Sequence, residues 1–300
     1  MTQWNFTAGQ TRIAWLLAVR RSFGAEIGAV SMAYGWLGKA TVAAALLLMA
    51  GSVQAAPCGN NAGAFESWKS VFASEAQARG VGPKAISALM DTSYSVGTIR
   101  ADRGQHSFKL SLADFMAKRG AYAIAAKGRG LKAANAALFA SIEKRFGVPP
   151  GPLITIWGME TGFGSFMGNQ PTISAIATLA YDCRRPEYFT DQLYAALQLV
   201  DRGVLSSGTR GAMHGEVGQT QFLPKSILLY AVDGDGNGVI NLNTKADALA
   251  STANFLKAHG WIRGAGYQPG QPNFAAIQGW NAAGVYQQTI AIVGRQIDGN

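Results

Sequence analysis

The sequence is poor in cysteine, in histidine and in charged residues. It contains 2 cysteines and 3 histidines in 300 residues, and charged residues make up 14%. Two cysteines exclude a disulfide-dense secreted scaffold, and three isolated histidines argue against a zinc site. The hydrophobic content of 48% excludes intrinsic disorder. The chain therefore has enough apolar residues for one large folded domain or two smaller ones.

Acidic residues are fewer than basic ones. The chain carries 26 Lys and Arg against 17 Asp and Glu, which gives a formal net charge of +9. A basic surface suits an anionic polymer, and an ordinary solvated surface is the alternative. Because no run of basic residues is interleaved with aromatic residues, and no nucleic-acid motif is recognised, we expect no nucleic acid as partner.

The first 55 residues predict a targeting segment. From Met32 a short basic stretch precedes the apolar run TVAAALLLMAG, and VQA fits a small-x-small cleavage site. The run is too short to span a bilayer comfortably. We therefore expect an over-long start at 1–31, cleavage after Ala55 and a periplasmic mature protein. A retained N-terminal anchor is the alternative, and a lipoprotein is disfavoured because Cys58 follows Ala-Pro.

Both cysteines, Cys58 and Cys183, fall in the predicted mature chain. Export to an oxidising compartment makes a disulfide between them possible, with two free thiols as the alternative. We predict the disulfide, which would join the mature N-terminus to the loop DCRR.

The stretch PPGPLITIWGMETGFGSFMG places a single acid, Glu160, at the end of an otherwise apolar helix. The two prolines suit a first helical turn, and Gly158, Gly162 and Gly164 are predicted stop signals. Trp157 shares a face with Glu160. Apolar surroundings and the negative end of the helix dipole both raise the pKa of a carboxylic acid, which suits a proton donor near neutral pH. The alternative is a solvated glutamate at a helix end.

Helical patterns also occupy the rest of the chain. AFESWKSVFASEAQARG is amphipathic, and GVGPKAISALMDT, QHSFKLSLADFMAKRG and LKAANAALFASIEKRFG continue the pattern. GAYAIAAKGRGLKAANAA reads as helix, turn, helix. TISAIATLAYD and YFTDQLYAALQLVDRGVL predict two more helices, and AAIQGWNAAGVYQQTIAIVGRQI predicts a helix, a break near Gly284 and a final helix.

The sequence DGDGNGVI fits the start of a calcium loop, with oxygen-bearing side chains at every second residue. The bidentate glutamate that normally ends such a loop is replaced by Thr244, and a later aspartate can close the shell instead. A structural metal is favoured over a catalytic one, and a turn that binds nothing is the alternative. The predicted ligands are Asp233, Asp235, Asn237, the carbonyl of Val239, and Asp247.

Five blocks together carry a family resemblance: IWGMETGFG, ATLAYDCRRPEYF, GEVGQTQFLPKS, YAVDGDGNGVINL and STANFLKAHGW. In this order they resemble the MltB-type lytic murein transglycosylases. The resemblance implies a mainly α protein with a lysozyme-like catalytic core over 148–300, an N-terminal helical region over 56–147 and an EF-hand-like calcium loop. It also implies cleavage of the MurNAc-GlcNAc β-1,4 bond of peptidoglycan glycan strands, with formation of 1,6-anhydro-MurNAc ends.

The same resemblance implies the site residues. Glu160 would be the catalytic acid, with no cofactor required for the chemistry. Gln221 would hydrogen-bond to sugar and Phe222 would stack on it, and many relatives carry tyrosine where this chain has Trp280. The substrate-binding residues that the resemblance implies are Gln221, Phe222, Tyr230, Phe255, Trp280 and Asn281.

The number of acids separates the possible reactions. Glycoside hydrolases ordinarily need two carboxylates. One carboxylate suffices if the muramoyl 6-hydroxyl of the substrate is the nucleophile. Glu216 is either the second acid of a muramidase or a structural residue bonded to loop amides, and the resemblance favours the structural role. A non-catalytic murein-binding or secretion-associated scaffold is the alternative from another class. We expect a monomer, with partners in cell-wall synthesis or secretion unknown.

Overall fold

The computed structural model describes residues 57–104 and 110–299. The predicted targeting segment and part of QHSFKLSLADFMAKRG lie outside the described residues. Within them the protein is mainly helical, with thirteen α-helices, a 3-10 turn at Ala62–Ala64 and one pair of two-residue strands. The prediction of a mainly α fold is confirmed.

The helices follow one another with short connections. Their bounds are α1 (Phe65–Ala78), α2 (Pro83–Met90), α3 (Val96–Arg103), α4 (Leu112–Lys118), α5 (Ala121–Ala134), α6 (Ala136–Phe146), α7 (Pro150–Thr161), α8 (Thr172–Tyr181), α9 (Pro186–Asp201), α10 (Pro224–Tyr230), α11 (Lys245–Ala258), α12 (Phe274–Trp280) and α13 (Gly284–Asp298). The strands β1 (Gln170–Pro171) and β2 (Arg210–Gly211) pair antiparallel, and Gln170 lies opposite Gly211.

Helix α7 lies at the centre of the fold. It packs against α5, α11 and α13, and every residue from Pro150 to Met159 is buried. A helix that is apolar on all sides is stable only inside a core. Because the apolar positions surround α7, its neighbours can cover it completely and leave only its C-terminal end, with Glu160, at a cleft.

The stop signal of α7 differs in part from the prediction. The helix ends at Gly162, which has the left-handed φ of 58° that favours glycine. Gly158, in contrast, lies within the helix. A Cβ there would lie 2.7 Å from Cγ2 of Ile124 and 2.9 Å from Cζ of Phe163. Gly158 therefore serves the close approach of α5 to α7 and does not end the helix.

Helix α5 shows the same use of glycine. It runs from Ala121 to Ala134, and the chain turns at Asn135 before α6, which agrees with the predicted order of helix, turn and helix in this segment. A Cβ at Gly128 would lie 2.6 Å from Cδ1 of Ile297 and 2.9 Å from Cγ2 of Ile154. Gly128 is thus a position at which α5 packs closely against α7 and α13.

The first described residues are joined to the middle of the chain. Cys58 and Cys183 form a disulfide, and the amide of Gly59 donates to the carbonyl of Tyr181 at 2.9 Å. The Tyr181 ring contacts the rings of Phe65 on α1 and Tyr94 before α3. These contacts hold α1 and α8 together.

The predicted boundary between 147 and 148 stays a prediction. The described residues belong to one compact unit, and α5, which precedes that boundary, packs on α7 and α13, which follow it. Among the described residues, no helix combines the length and the apolar character needed to span a bilayer.

Candidate active site

Glu160 lines a small pocket formed by residues from four parts of the chain. Helix α7 supplies the acid, the loop before α10 and α10 itself supply one wall, and α11 and α12 supply the other. No other carboxylate is found among the described residues that line it. The lining residues are Glu160, Gln221, Phe222, Leu223, Ser226, Phe255 and Trp280.

Two hydrogen bonds hold the carboxylate of Glu160. The hydroxyl of Tyr286 donates to its Oε1 at 2.5 Å, and Nε1 of Trp280 donates to the same oxygen at 3.3 Å. Burial raises the pKa of Glu160, and the two donors lower it in part. The direction agrees with the prediction. A carboxylic acid in this setting can hold a proton near neutral pH and release it to a well-placed acceptor.

Tyr286 is the residue that sequence reasoning missed. It is buried on α13, where its ring also contacts Phe115 at 6.0 Å between centroids. In the sequence it stands in the helical pattern GVYQQTIAIV, which carries no chemical signal beyond core packing. Its contact with Glu160 spans 126 residues and depends on how α13 packs against α7.

Aromatic rings form the walls of the pocket. The Trp280 ring contacts Phe222 at 5.4 Å and Phe255 at 5.1 Å, both nearly edge to face. Tyr230 contacts Phe255 at 4.9 Å and is absent from the pocket lining, so it supports the wall from behind. Phe222 is only 2% exposed. These rings therefore enclose the acid, and the stacking of sugar on Phe222 stays a prediction.

Gln221 holds the rim of the pocket in a strained conformation. Its φ of 58° is left-handed, which is rare outside glycine, and Phe163 at φ 64° is the other such residue among those described. The side-chain amide of Gln221 donates to the carbonyls of Gly218 at 2.9 Å and Met167 at 3.4 Å. Strained residues of this kind cluster at functional sites. The amide nitrogen is thus used by the loop, which leaves Oε1 as the atom available to a ligand.

Asn281 lies outside the pocket lining and is 1% exposed. Its Oδ1 accepts the amide of Ala283 at 2.9 Å, and its main-chain carbonyl accepts Nε2 of Gln287 at 2.8 Å. The residue therefore shapes the turn between α12 and α13, and its predicted substrate contact stays a prediction.

Glu216 is held by its own loop. It is 3% exposed, its Oε2 accepts the amide of His214 at 3.0 Å, and its Oε1 lies 3.4 Å from Nδ1 of the same histidine. Burial opposes its charge, but the hydrogen bonds and charge of His214 outweigh it, and the pKa of Glu216 is lowered. Glu216 is not part of the pocket lining around Glu160. The geometry favours the structural role.

The calcium-loop residues converge on one point. Carboxylate oxygens of Asp233, Asp235 and Asp247 lie within 4.8 Å of one another. Asp247 is fully buried and accepts the amides of Gly234 at 2.8 Å and Asn241 at 2.7 Å. An all-oxygen donor set of this kind fits a hard cation such as calcium. The residues present therefore fit a metal, although the same loop amides already stabilise the carboxylates.

Hydrogen bonds within the loop hold its remaining residues, and the predicted metal contacts of Asn237 and the Val239 carbonyl stay predictions. Amides of Gly238 and Gly236 donate to Asp233 and lower its pKa, which keeps the carboxylate charged. Oδ1 of Asn237 accepts the amide of Val239, whose side chain is exposed. Thr244, which replaces the usual glutamate, caps α11 instead.

The comparisons with known proteins concern most of the described chain. The family model described as "Transglycosylase SLT domain" matches residues 64–271. The membrane-bound lytic murein transglycosylase B of Escherichia coli is 40% identical over 137 residues, which are 43% of this chain and 38% of that protein. The match thus spans well under half the length of this curated relative.

Two solved structures are similar to this chain over larger parts of both chains. SltB3 from Pseudomonas aeruginosa, in complex with NAG-anhNAM-pentapeptide, matches with a TM-score of 0.72 and 28% identity, over 79% of this chain and 80% of that one. The lytic transglycosylase Slt35 of Escherichia coli, in complex with calcium, matches with a TM-score of 0.67 and 23% identity, over 81% and 96%. The second likeness concerns the fold, which is the lysozyme-like fold implied by the sequence blocks.

Proposed function

Because the chain belongs to the transglycosylase SLT domain family, we propose that it is a lytic murein transglycosylase with Glu160 as its catalytic acid. Its substrate is the MurNAc-GlcNAc β-1,4 bond of peptidoglycan glycan strands. The observation that carries the proposal is one half-buried, hydrogen-bonded carboxylic acid whose pKa is raised and which lines an aromatic pocket.

The reaction uses Glu160 twice. In the first step the protonated acid donates to the glycosidic oxygen, and the bond to C1 of the muramoyl residue breaks. In the second step the carboxylate takes the proton of the muramoyl 6-hydroxyl as that oxygen attacks C1. The products are a free GlcNAc 4-hydroxyl and a 1,6-anhydro-muramoyl end. No water is consumed, and the acid returns to its protonated form.

The groups around Glu160 match this double role. The donors of Tyr286 and Trp280 stabilise the carboxylate that forms after proton transfer, while burial favours the acid before it. Proximity makes attack by a hydroxyl of the same sugar competitive with water. The pocket walls of Phe222 and Phe255 restrict the space in which a free water could replace that hydroxyl.

A hydrolase that uses a second acid is the other enzymatic candidate. It would need a carboxylate about 5–10 Å from the first, across the scissile bond. Glu216 does not line the pocket and is engaged by His214, and this observation disfavours the hydrolase. The pocket residues equally disfavour a non-catalytic scaffold, which has no need of a half-buried acid with a raised pKa.

The same proposal implies the partner, the cellular compartment and the metal ion of the enzyme. Glycan strands are the partner, and the periplasm is the compartment in which they occur. Asp233, Asp235, Asn237, Val239 and Asp247 would hold a calcium ion. The ion would supply structural stabilisation of the loop before α11, and the reaction needs no cofactor.

Mass spectrometry of the sugar products tests the function. Purified murein is digested with the mature chain, its Glu160→Gln variant and a control variant, Glu187→Gln, which changes an exposed acid on α9. We expect anhydro-muramoyl ends from the wild type and the control, and at least a thousandfold slower release from Glu160→Gln. Products heavier by one water would indicate hydrolysis, and wild-type chain without products would overturn the enzymatic assignment.

A further inference from the structure

A buried acid, Glu216, has no part in the proposed reaction. It is 3% exposed and directly precedes the pocket hairpin, the turn 217–222 that brings Gln221 and Phe222 into the lining of the catalytic pocket. Its main-chain carbonyl accepts the amide of Ala212 at 2.9 Å, which closes the turn before the hairpin. Glu216 therefore lies at the base of the segment that forms one wall of the pocket.

Backbone pairing makes the pocket hairpin a rigid unit. Val217 and Phe222 exchange main-chain hydrogen bonds of 2.8 and 3.0 Å, so a shift of Val217 at the base is passed on to Phe222. The ring of Phe222 contacts Trp280 at 5.4 Å between centroids, and Nε1 of Trp280 donates to Glu160 at 3.3 Å. The position of the hairpin therefore affects both the pocket wall and a donor to the catalytic acid.

Two groups of His214 hold the side chain of Glu216. The main-chain amide of His214 donates to Oε2 at 3.0 Å, and its Nδ1 lies 3.4 Å from Oε1. Burial raises the pKa of Glu216, but the contacts with His214 lower it by more, so the acceptor is an ionised carboxylate. Hydrogen bonds to an ionised group are stronger than those between neutral groups, and the burial of both residues strengthens them further.

The second ring nitrogen of His214 faces a buried ion cluster. Nε2 lies 4.0 Å from Oδ1 of Asp102, which is 1% exposed. Asp102 also binds the guanidinium groups of Arg184 and Arg185. The imidazole ring therefore lies between Glu216 and a cluster that is anchored on α3 and on the connection between α8 and α9.

We propose that Glu216 and His214 are positioning residues: their pair fixes the pocket hairpin so that Gln221 and Phe222 keep the distance from Glu160 that cleavage of the glycan strand requires. The proposal rests on the proposed function and adds two residues that are absent from the pocket lining. Side chains at a reactive centre keep their geometry only if neighbouring contacts hold them, and a displacement of about 1 Å can lower a rate about a hundredfold. A buried, ionised pair at the base of the wall supplies such contacts.

Glutamine at position 216 separates this role from that of a second acid. Glu216→Gln keeps nearly the same shape and an oxygen that can accept the amide of His214, but it cannot ionise. Glu216→Ala keeps neither the shape nor the acceptor. Glutamine should therefore replace a positioning glutamate in large part, whereas a second catalytic acid would be lost in both variants.

Kinetics on purified murein provide the test. The variants of the mature chain are Glu216→Gln, Glu216→Ala, His214→Ala, the double variant His214→Ala/Glu216→Ala and the control Glu187→Ala, which removes an exposed glutamate from α9. The kcat and KM for release of anhydro-muramoyl ends are measured well below the lowest melting temperature of the set. At that temperature a loss of stability alone leaves the protein folded and does not change the rate.

We expect Glu216→Ala to lower kcat/KM about tenfold, through both kcat and KM, because the hairpin lines the pocket and also supports Trp280. Glu216→Gln should stay within about threefold of the wild type, since the amide of His214 keeps an acceptor. His214→Ala keeps that amide and should lower kcat/KM about threefold. The double variant should be no slower than Glu216→Ala because both changes act on the same pair, and Glu187→Ala should match the wild type.

Several results would contradict the positioning role. Variants that melt at a lower temperature but keep the kcat and KM of the wild type would overturn it while the proposed function stands. A loss in Glu216→Gln as large as that in Glu216→Ala would overturn it in favour of a second acid. If Glu216→Ala does not fold, wild-type kcat and KM in His214→Ala would overturn it. A wild type that releases no anhydro ends would overturn the proposed function and this role together.

An NMR measurement without catalysis follows the route from the pair to the acid. The indole N–H resonance of Trp280 is recorded in the full chain carrying Glu160→Gln and is assigned by its loss in Trp280→Phe. Adding Glu216→Ala should shift this resonance, because Phe222 moves against the indole ring, and adding Glu187→Ala should not. An unchanged resonance in folded Glu216→Ala would overturn the proposed route through the hairpin.

Discussion

The hydroxyl of Tyr286 and the indole of Trp280 both donate to one oxygen of Glu160, and the Tyr286 bond, at 2.5 Å, is the shorter. Trp280 is the last residue of α12 and Tyr286 lies in the first turn of α13, whereas Glu160 lies in the last turn of α7. Burial raises the pKa of Glu160 and the donors lower it, so the packing of α13 on α7 adjusts the strength of the acid.

Replacing Tyr286 with Phe removes one donor and keeps the ring. The pKa of Glu160 should rise further, because a hydrogen bond that stabilises the carboxylate is lost. Since the first step needs the protonated acid, the alkaline limb of the kcat/KM profile should move to higher pH, and kcat should fall about tenfold because the carboxylate is less well held.

A matched control for that change is Tyr267→Phe. Tyr267 donates to the carboxylate of Asp298 at 2.7 Å, far from the catalytic pocket. We expect the control to leave the pH profile unchanged. An alkaline limb that stays in place in Tyr286→Phe would contradict the role assigned to this hydrogen bond.

Glu160→Gln should make the protein more stable at neutral pH. The folded-state pKa of Glu160 is raised above that of the unfolded chain, so the folded state retains a proton that the unfolded state releases. The contribution of the acid is fully favourable below the unfolded pKa, near 4, and is lost as pH rises through the folded pKa. Glutamine does not ionise and escapes this loss.

Thermal unfolding at two pH values measures the effect. The melting temperature of Glu160→Gln should exceed that of the wild type at pH 7, and the difference should shrink at pH 4. Glu187→Gln, at an exposed position, is the control. A difference that is the same at both pH values would show that lost ionisation is not its cause.

The sequence predicts helix α7 well because the relevant signals are local. Two prolines, an apolar run and an acid lie within the twelve consecutive residues 149–160, shortly before Gly162, and each acts through its own turn of helix. The pocket residues from Gln221 to Trp280 follow from the resemblance, and the structure brings most of them together around Glu160.

What the sequence misses depends on contacts between distant helices. Gly158 looks like a stop signal, and only the packing of α5 on α7 shows why a side chain does not fit there. Tyr286 looks like a core residue until α13 is placed beside Glu160.

Calcium should raise the melting temperature. An ion that binds only the folded state stabilises it by about 2.7 kcal/mol at a hundredfold excess over Kd, which corresponds to about 5–10 °C for a domain of this size. Asp235→Asn should abolish the rise, because Asp235 is an exposed predicted ligand with few other contacts. Asp191→Asn, at an exposed ion pair with Lys225, is the control.

A chelator and magnesium test whether the rise in melting temperature comes from calcium bound to this loop. A chelator should return the wild type to the melting temperature of Asp235→Asn, and magnesium should act more weakly because it requires a tighter octahedral shell. An unchanged melting temperature with calcium and with chelator would mean that the loop is not a metal site in the folded protein.

Reduction of the disulfide between Cys58 and Cys183 should destabilise the fold. The bond closes a loop with a sequence separation of 125 residues, and such cross-links typically contribute about 2–4 kcal/mol by restricting the unfolded chain. The double variant Cys58→Ser/Cys183→Ser should therefore melt about 5–15 °C below the oxidised protein. A reductant should lower the melting temperature of the wild type to the same value and leave the variant unchanged. If the reductant shifts both proteins equally, its effect does not come from this bond, and the link between the first described residues and the loop after α8 contributes nothing measurable to stability.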